Sequence, residues 1–426
     1  MQKAILAGLC TDRRTDFKKS MKETAALADA AQIEIVETIT QNLPTPVTGT
    51  LMGSGKIEEL KEAALAWDVD LIIFDNALSP VQQRNLSRLT ETEILDRTGL
   101  ILRIFSDRAR TREAILQVES AKLTYMLPRL AGMHTDLGRQ GGASGAMSNK
   151  GSGEKKIELD RRHIEHRLAE YRKELVSVEK ERETQRKKRL NSGIPRVSLV
   201  GYTNAGKSTI LNEMLAQYGR DKEKTVFEQD MLFATLDTSI REICPGKNEK
   251  PFLLADTVGF ISNLPTTLIK AFRSTLDEAC YADILLLVSD VSDPDFRENL
   301  QITIDTLAEI GAGSVPRIYV FNKADKVTDF EAADISARGM TAEDARITMS
   351  AKKPEDITRL ALLIEERLND GKISCDMEIP YTDGGVLNAL KKSSDLEILD
   401  YTENGTRIHV ICSKEDAARY ARFILK

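Results

Sequence analysis

Over the first hundred residues, short apolar runs rich in β-branched residues alternate with stretches whose apolar positions recur at helical spacing. AILAGL (4–9), IEIVETIT (33–40), DLIIFD (70–75) and LILRIF (100–105) read as strands, and SMKETAALADAA (20–31) and KIEELKEAALAW (56–67) as helices. This alternation predicts an α/β domain over residues 1–105. RARTREAILQVESAKLTYML (108–127) then reads as helix, with Pro128 ending or kinking it. GRQGGASGAMSNKGSGE (138–154) carries six glycines among small polar residues and predicts an irregular, mobile loop. From Lys155 to Leu190 the pattern is helical again, with Ile157, Ile164, Leu168, Tyr171, Leu175 and Val178 forming a narrow coiled-coil seam. Its natural partner is the preceding helix, so residues 106–192 are expected to form an antiparallel hairpin. A second α/β block begins at RVSLV (196–200) and runs to a helix ending near Leu368. Residues 371–426 read strand, helix, strand, turn at ENGT (403–406), strand, helix. The expected division is therefore 1–105, 106–192, 193–370 and 371–426.

Composition narrows the class. A chain of 426 residues with 41% hydrophobic and 30% charged residues fits a globular protein. Its longest uncharged apolar stretch, around Ile284 to Val288, is far below the ~20 residues a membrane span needs. Asp12, Arg13 and Arg14 follow the N-terminal MQKAILAGLC closely, which leaves no room for a secretory apolar core. The five cysteines are scattered with no CxxC pair, and the four histidines have no cysteine at ligand spacing. A reduced, cytoplasmic protein without disulfides or zinc is expected. Net charge is −6, yet residues 155–190 hold 13 Lys and Arg against 8 Asp and Glu, the excess gathering as RKKR at 186–189. Two readings stand, a solvated helix face and a contact with RNA phosphates.

The chemistry is carried by four ordered motifs. GYTNAGKS (201–208) satisfies GxxxxGK[ST] between a β-branched strand and a helix. Gly201 and Gly206 allow the tight turn that aims backbone N–H groups at phosphates, with Tyr202, Thr203, Asn204 and Ala205 as the loop and Thr209 opening the helix. Lys207 supplies a cation for the β/γ oxygens, and the Ser208 hydroxyl suits Mg²⁺. DTVG (256–259) follows the strand PFLLA. Asp256 is expected to reach Mg²⁺, Thr257 and Val258 to line the turn, and the Gly259 amide to meet the γ-phosphate. Between these motifs ATLDT (234–238) offers a switch threonine, taken as Thr235, a third Mg²⁺ contact that senses the γ-phosphate, with Phe233 beside it. NKAD (322–325) and SAK (350–352) close later strand-like runs. Asp325 can accept both guanine N–H donors at once, which adenine lacks. Asn322 can tie the base edge to the phosphate loop. Lys323 is expected along the base, with Ser350, Ala351 and Lys352 at the guanine carbonyl. The fold class implied is a multidomain α/β protein whose doubly wound P-loop GTPase domain binds GTP or GDP with Mg²⁺. By contrast GSGK at 53–56 has Thr50 and Ile57 where that loop needs Gly and Ser/Thr, so it reads as a turn opening a helix at Lys56.

The position after DTVG, where many GTPases carry a water-orienting glutamine, is Phe260. No arginine finger can be assigned either, so slow intrinsic hydrolysis completed by a partner is expected. Asn204 stands where potassium-activated GTPases place an asparagine that helps bind K⁺; a purely loop-stabilising asparagine is the other reading.

Beyond these motifs, DTVGFISNLPTTLIKAFRSTLDEACYADILLLVSDVSDP (256–294) resembles the long switch II signature of the HflX family of ribosome-associated GTPases. GSGKIEEL (53–60), FDNALSPVQQRNL (74–86), LDRTGLILRIFSDRARTREAILQVESAKLTYMLPRLAG (95–132) and GSGEKKIELDRR (151–162) resemble that family's N-terminal domain and hairpin in the same order. The resemblance covers most of residues 40–360 and only loosely 373–426. It implies a monomer that binds the large ribosomal subunit in the GTP state, touching rRNA with the N-terminal domain and glycine loop, and that splits or rescues ribosomes. Where the family carries GGxGTRGPGETQLE, this chain has GGASGAMSNKGSGEKKIELD, lacking the loop arginine, with Lys150 as the nearest substitute. A large-subunit binding or assembly factor that does not split ribosomes is the first rival, and an ATP-dependent RNA-remodelling enzyme the second.

Overall fold

Alternating strand and helix near the N-terminus builds a parallel sheet. In the computed structural model, which describes residues 2–11, 17–130, 150–190, 193–219, 233, 239–245, 251–262, 278–328, 335, 337–341 and 344–425, internal contacts divide the chain into two units. The first holds Met1–Lys180 with Phe227–Asp237 and Val258–Leu276; the second holds Glu181–Val226, Thr238–Thr257 and Asp277–Lys426.

In the first unit, β1 (Gln2–Cys10), β2 (Ile33–Asn42), β3 (Leu71–Phe74) and β4 (Glu93–Asp96) form a parallel sheet of order β2-β1-β3-β4. The strands are linked by α1 (Phe17–Ala30), α2 (Ser54–Trp67) and α3 (Pro80–Thr90). Strand β3 is buried at all four positions, as a central strand covered on both faces must be. Helix α2 starts at Ser54 rather than Lys56, with Gly53 at its N-cap.

LILRIF does not form a strand. It lies inside helix α4 (Arg97–Arg108), and the last strand is the short EILD before it. Asp96 decides the change of direction. Its carboxylate accepts the Gly99 amide at 2.8 Å, capping the new helix, and also the Leu78 amide, the Tyr125 hydroxyl at 2.8 Å and Arg129 at 3.2 Å. A continuous apolar run is compatible with a helix buried nearly all round, and Leu100, Ile101, Leu102, Ile104 and Phe105 are all buried. The Asp96 carboxylate and the stacked Arg129 ring contact at 3.5 Å enclose Tyr125, and burial first, then the Asp96 charge, pushes its phenol far above the ordinary range. Asp96→Ala is expected to destabilise this unit by about 3 kcal/mol or more, since it strands several buried donors at once. Denaturant unfolding measures it; a loss below about 1 kcal/mol would show that the donors find other partners.

The helical pattern after Asp107 is interrupted: α4 ends at Arg108 and α5 (Arg112–Met126) restarts with Thr111 as N-cap. Helix α6 (Lys150–Leu190) is 41 residues long and includes residues 150–154, which the glycine content predicted as loop. The remainder of that predicted loop, and the orientation of Lys150 and of the RKKR side chains, lie outside the described residues. Arg112 pairs with Glu174 at 3.0 Å and Glu119 faces Arg167, which makes α5 and α6 antiparallel. Ile164, Leu168, Tyr171, Leu175 and Val178 are all covered, with Asp160, Glu174 and Arg182 partly so, on a helix otherwise exposed among the described side chains, as the seam predicts. Ile157 lies outside the described side chains.

In the second unit, β5 (Arg196–Gly201), β6 (Ser239–Ile243), β7 (Phe252–Asp256), β8 (Ile284–Asp290), β9 (Arg317–Asn322) and β10 (Ala345–Thr348) form a sheet of order β10-β9-β8-β5-β7-β6. All pairings are parallel except that of β6 with β7. Helices α7 (Lys207–Tyr218), α8 (Phe296–Glu309) and α9 (Pro354–Asn369) connect it. Val197, Leu199, Leu254, Leu286 and Val320 from the strands pack with Ile210, Met214, Ile357 and Leu360 from α7 and α9. Strand order reverses around β5, so the carboxyl ends of β5 and its neighbours open where ligands bind doubly wound sheets. Beyond it, β11 (Lys372–Pro380), α10 (Gly384–Ser393), β12 (Asp395–Tyr401), β13 (Gly405–Ser413) and α11 (Lys414–Arg419) give an antiparallel sheet of order β11-β13-β12 around Met377, Ile379, Leu390, Ile408 and Val410.

Candidate functional site

The four motifs of the sequence fall at the carboxyl ends of β5, β7, β9 and, one loop turn later, β10. At the first, Gly201 has φ +152° and a Cβ there would lie 2.2 Å from the Val288 carbonyl oxygen. Gly206 has φ +94°, and a Cβ on it would lie 2.2 Å from the Asn322 side-chain nitrogen. Both positions therefore require glycine on conformation and on space. Between them Asn204 is left-handed at φ +61°, a conformation asparagine tolerates. The Thr203 hydroxyl is buried without a hydrogen-bond partner among the described residues. Helix α7 starts at Lys207, directly behind this turn, with Ser208 and Thr209 in its first turn, so its free N–H groups open on the loop.

Lys207 curls back over the loop, its Nζ donating to the Gly201 carbonyl at 3.0 Å and the Tyr202 carbonyl at 2.8 Å. Burial lowers its pKa to about 8, and the nearby Asp256 carboxylate acts in the opposite direction. Ser208 Oγ donates to Asp256 Oδ2 at 2.6 Å, bringing the two predicted Mg²⁺ contacts together. Asp256 is fully buried, and Thr257 is fixed beside it by its hydroxyl donating to the Leu199 carbonyl at 2.7 Å. A hydroxyl and a carboxylate are hard oxygen donors of the kind Mg²⁺ takes, so the residues present fit that ion.

The loops at the carboxyl ends of β9 and β10 are organised by Asn322. Its amide nitrogen donates to the Ala205 carbonyl at 2.9 Å, and its oxygen accepts the Ala351 amide at 2.9 Å. One buried side chain thereby joins the phosphate loop to the SAK loop. Lys323, left-handed at φ +61°, pairs with Asp290 at 2.8 Å. Asp290, the last residue of β8, lies in the stretch that resembles the family's switch II signature, yet it was given no role of its own. Asp325 is exposed, and a hydrogen bond from Ser350 is the main cause holding its carboxyl below the ordinary range. Ser350 and Ala351 are buried while Lys352 is exposed, and the Ser350 amide donates to Asp356 at 2.9 Å.

Thr235 lies outside the described residues. Phe233, Val258 and Gly259 belong to the first unit by their contacts, where the Phe233 ring meets Phe105 edge-on at 4.7 Å. Phe260 and Ile261 are buried.

The Lys207 pKa has a measurable consequence. Below pH ~8 the free protein already holds the proton, whereas above it a bound polyphosphate must draw one in. GDP affinity is expected to be flat to about pH 8 and to weaken by up to about tenfold per pH unit above it. Titrating a fluorescent GDP analogue between about pH 7 and 9 tests this, and a flat profile would show that Lys207 keeps its charge in the free protein.

Comparison with known proteins agrees in extent and in order. Residues 18–106 match the family described as GTP-binding GTPase N-terminal, 108–189 the GTP-binding GTPase middle region, and 196–323 the 50S ribosome-binding GTPase family. A GTPase HflX of Lacrimispora saccharolytica is 38% identical over 415 residues, 97% of this chain and 94% of the relative. That of Escherichia coli is 39% identical over 383 residues, 90% of this chain and 87% of the relative. That of Flavobacterium psychrophilum is 42% identical over 326 residues, 76% of each. Among solved structures, a GTP-binding protein of Sulfolobus solfataricus in complex with GDP aligns at 24% identity and a TM-score of 0.47 over 85% of this chain and 100% of that one. No helix among the described residues is long and apolar enough to cross a membrane. Identity near 40% over almost the full length, on a phosphate loop and base-reading loops of this geometry, places the chain in the HflX family of GTPases: it binds guanine nucleotides and hydrolyses GTP.

Proposed function

We propose that this GTPase associates with the large ribosomal subunit in its GTP state and splits or rescues ribosomes, with hydrolysis serving its release. The observation that carries the reading is the match of residues 196–323 to the 50S ribosome-binding GTPase family, on a chain whose long helix ends in RKKR. Four basic residues in a row are suited to phosphate backbones. The protein acts as a cytoplasmic monomer divided at about 105, 192 and 370, each part with its own role in ribosome contact or nucleotide handling.

In the nucleotide site Gly201 to Thr209 cradle the phosphates, with Lys207 turning from the loop carbonyls onto the β/γ oxygens. Ser208, Thr235 and Asp256 hold Mg²⁺, which when bound neutralises charge building on the phosphates. The Gly259 amide meets the γ-phosphate, with Phe233, Thr257 and Val258 around it. Asp325 accepts from the guanine N1–H and 2-amino groups, Lys323 lies along the base, and Ser350, Ala351 and Lys352 line its carbonyl edge. Asn204 provides a seat for K⁺; hydrolysis at equal rates in K⁺ and Na⁺ would remove that role. A large-subunit assembly factor that never splits ribosomes is favoured by one observation, the absence of the family's loop arginine between Gly141 and Glu154.

The test is co-sedimentation with purified large subunits. Retention with a non-hydrolysable GTP analogue and release with GDP are expected, and equal behaviour in both would overturn the partner reading. Sucrose-gradient profiles of intact ribosomes then separate the two activities, since only a splitting factor raises free subunits.

A further inference from the structure

Helix α4 carries a buried arginine that no nucleotide motif includes. Arg97, the first residue of the helix, is buried at 5% side-chain exposure between two carboxylates, Glu23 of α1 and Asp75 just past β3. Nη1 donates to Thr24 Oγ1 at 2.8 Å and Asp75 Oδ1 at 3.1 Å. Asp75 is itself held by the Ser20 hydroxyl at 2.7 Å and by Thr24 at 2.6 Å. Such a network fixes the guanidinium plane, because each edge of the fork has its own acceptors.

The other edge reaches a different part of the chain. Nη2 donates to Glu23 and also to the backbone oxygen of Ser262 at 3.1 Å, with the Ser262 hydroxyl at 3.4 Å; that hydroxyl in turn donates to Glu23. Ser262 stands three residues after Gly259 and is followed by the rest of the second switch signature. Two helical turns further along α4, Phe105 packs against Phe233, a residue of the other switch segment. Phe233 is 2% exposed and held at φ +55°, a conformation bulky side chains rarely keep unless packing enforces it. Phe233 and Ser262 are thus both tied to helix α4, and both belong to the first unit.

We propose that Arg97 is a positioning residue for GTP hydrolysis: its guanidinium, clamped by Glu23 and Asp75, anchors the backbone at Ser262 and so sets where the Gly259 amide stands when GTP is bound. The proposal rests on the reading of Gly259 as the γ-phosphate contact. GDP has no γ-phosphate, so the anchor acts on GTP turnover and leaves GDP binding alone. An arginine is required because only its fork addresses the carboxylates and the Ser262 carbonyl together; lysine keeps the charge but meets one side at a time.

The experiment measures intrinsic GTP hydrolysis and GDP affinity for the full chain as wild type, Arg97→Lys, Ser262→Ala, the double variant and Gly259→Pro. Arg97→Lys is expected to lower kcat about tenfold and Ser262→Ala, which keeps the backbone acceptor, about threefold. The double variant is expected to be no worse than Arg97→Lys alone, because both act through one contact. GDP affinity is expected to stay within about twofold of wild type throughout. Unchanged kcat in Arg97→Lys, additive effects in the double variant, or GDP affinity falling in parallel with kcat would each overturn the proposal, the last because it marks a merely structural arginine. Gly259→Pro separates the layers, because proline removes the amide N–H that alanine would keep. If it hydrolyses GTP normally, the reading of Gly259 fails; if it is impaired while Arg97→Lys is not, only the anchoring role fails.

Discussion

Asp325→Asn is expected to exchange the preferred nucleotide from GTP to XTP, with GTP affinity falling roughly 10³-fold or more. Guanine presents two adjacent donors, N1–H and the 2-amino group, and an ionised carboxylate offers two acceptors to match. The Asp325 carboxyl is kept ionised by the hydrogen bond from Ser350, on a loop that Asn322 and Asp356 hold from behind. An amide offers one acceptor and one donor, which clashes with the guanine amino group and pairs with the carbonyl that xanthine has in its place. The penalty is large because a donor facing a donor leaves both unpaired. The fold should be untouched, as Asp325 is exposed. Competition of GTP and XTP against a labelled guanine nucleotide reads the change, and persistence of the GTP preference would remove Asp325 from base recognition.

Purified large subunits are expected to accelerate GTP hydrolysis by about 10³-fold or more, the scale of a supplied catalytic group. The reason is local. Phe260 follows Gly259 and is only 3% exposed, so the position that elsewhere orients the attacking water holds a buried aromatic ring. The roles proposed for Lys207, Ser208, Asp256 and Asn322 are phosphate holding and base reading, and none of them orients water. Turnover with and without subunits, at saturating GTP, measures the factor. Stimulation of only several-fold would mean that the chain already carries its own means of activating water.

The anchoring of Ser262 by Arg97 and the missing water-orienting group bear on the same few residues. A switch whose far end is held by a folded domain has fewer conformations to search when the γ-phosphate arrives. Its reactivity then depends on what completes it from outside.

The glycine turn at 201–206 and the loops at the carboxyl ends of β9 and β10 were legible in sequence because their conformation is dictated by consecutive residues. Gly201 and Gly206 are demanded by local backbone conformation, NKAD begins at the last residue of a strand of the expected type, and SAK follows another after one residue. The coiled-coil seam from Ile164 to Val178 was legible for a similar reason, since a period along one helix reports one face. What neighbouring residues do not specify was missed. LILRIF is apolar in a way that suits a buried strand or a buried helix equally, and only the Asp96 carboxylate, with partners from Leu78 to Arg129, selects the helix. Glycine content misplaced the start of the long helix, which includes residues 150–154. Asn322 could be named from its motif, yet its joining of Ala205 and Ala351 depends on β5, β9 and β10 standing in one sheet. Asp290 and Arg97 lay inside the stretches that resemble the HflX family, but no role could be assigned to either, because their partners lie 33 and 165 residues away at Lys323 and Ser262. Sequence alone determined the four ordered motifs and the family they mark, through local conformation and side-chain chemistry. Only the tertiary structure decided what holds those motifs in place, because that work is done by buried hydrogen bonds between distant segments.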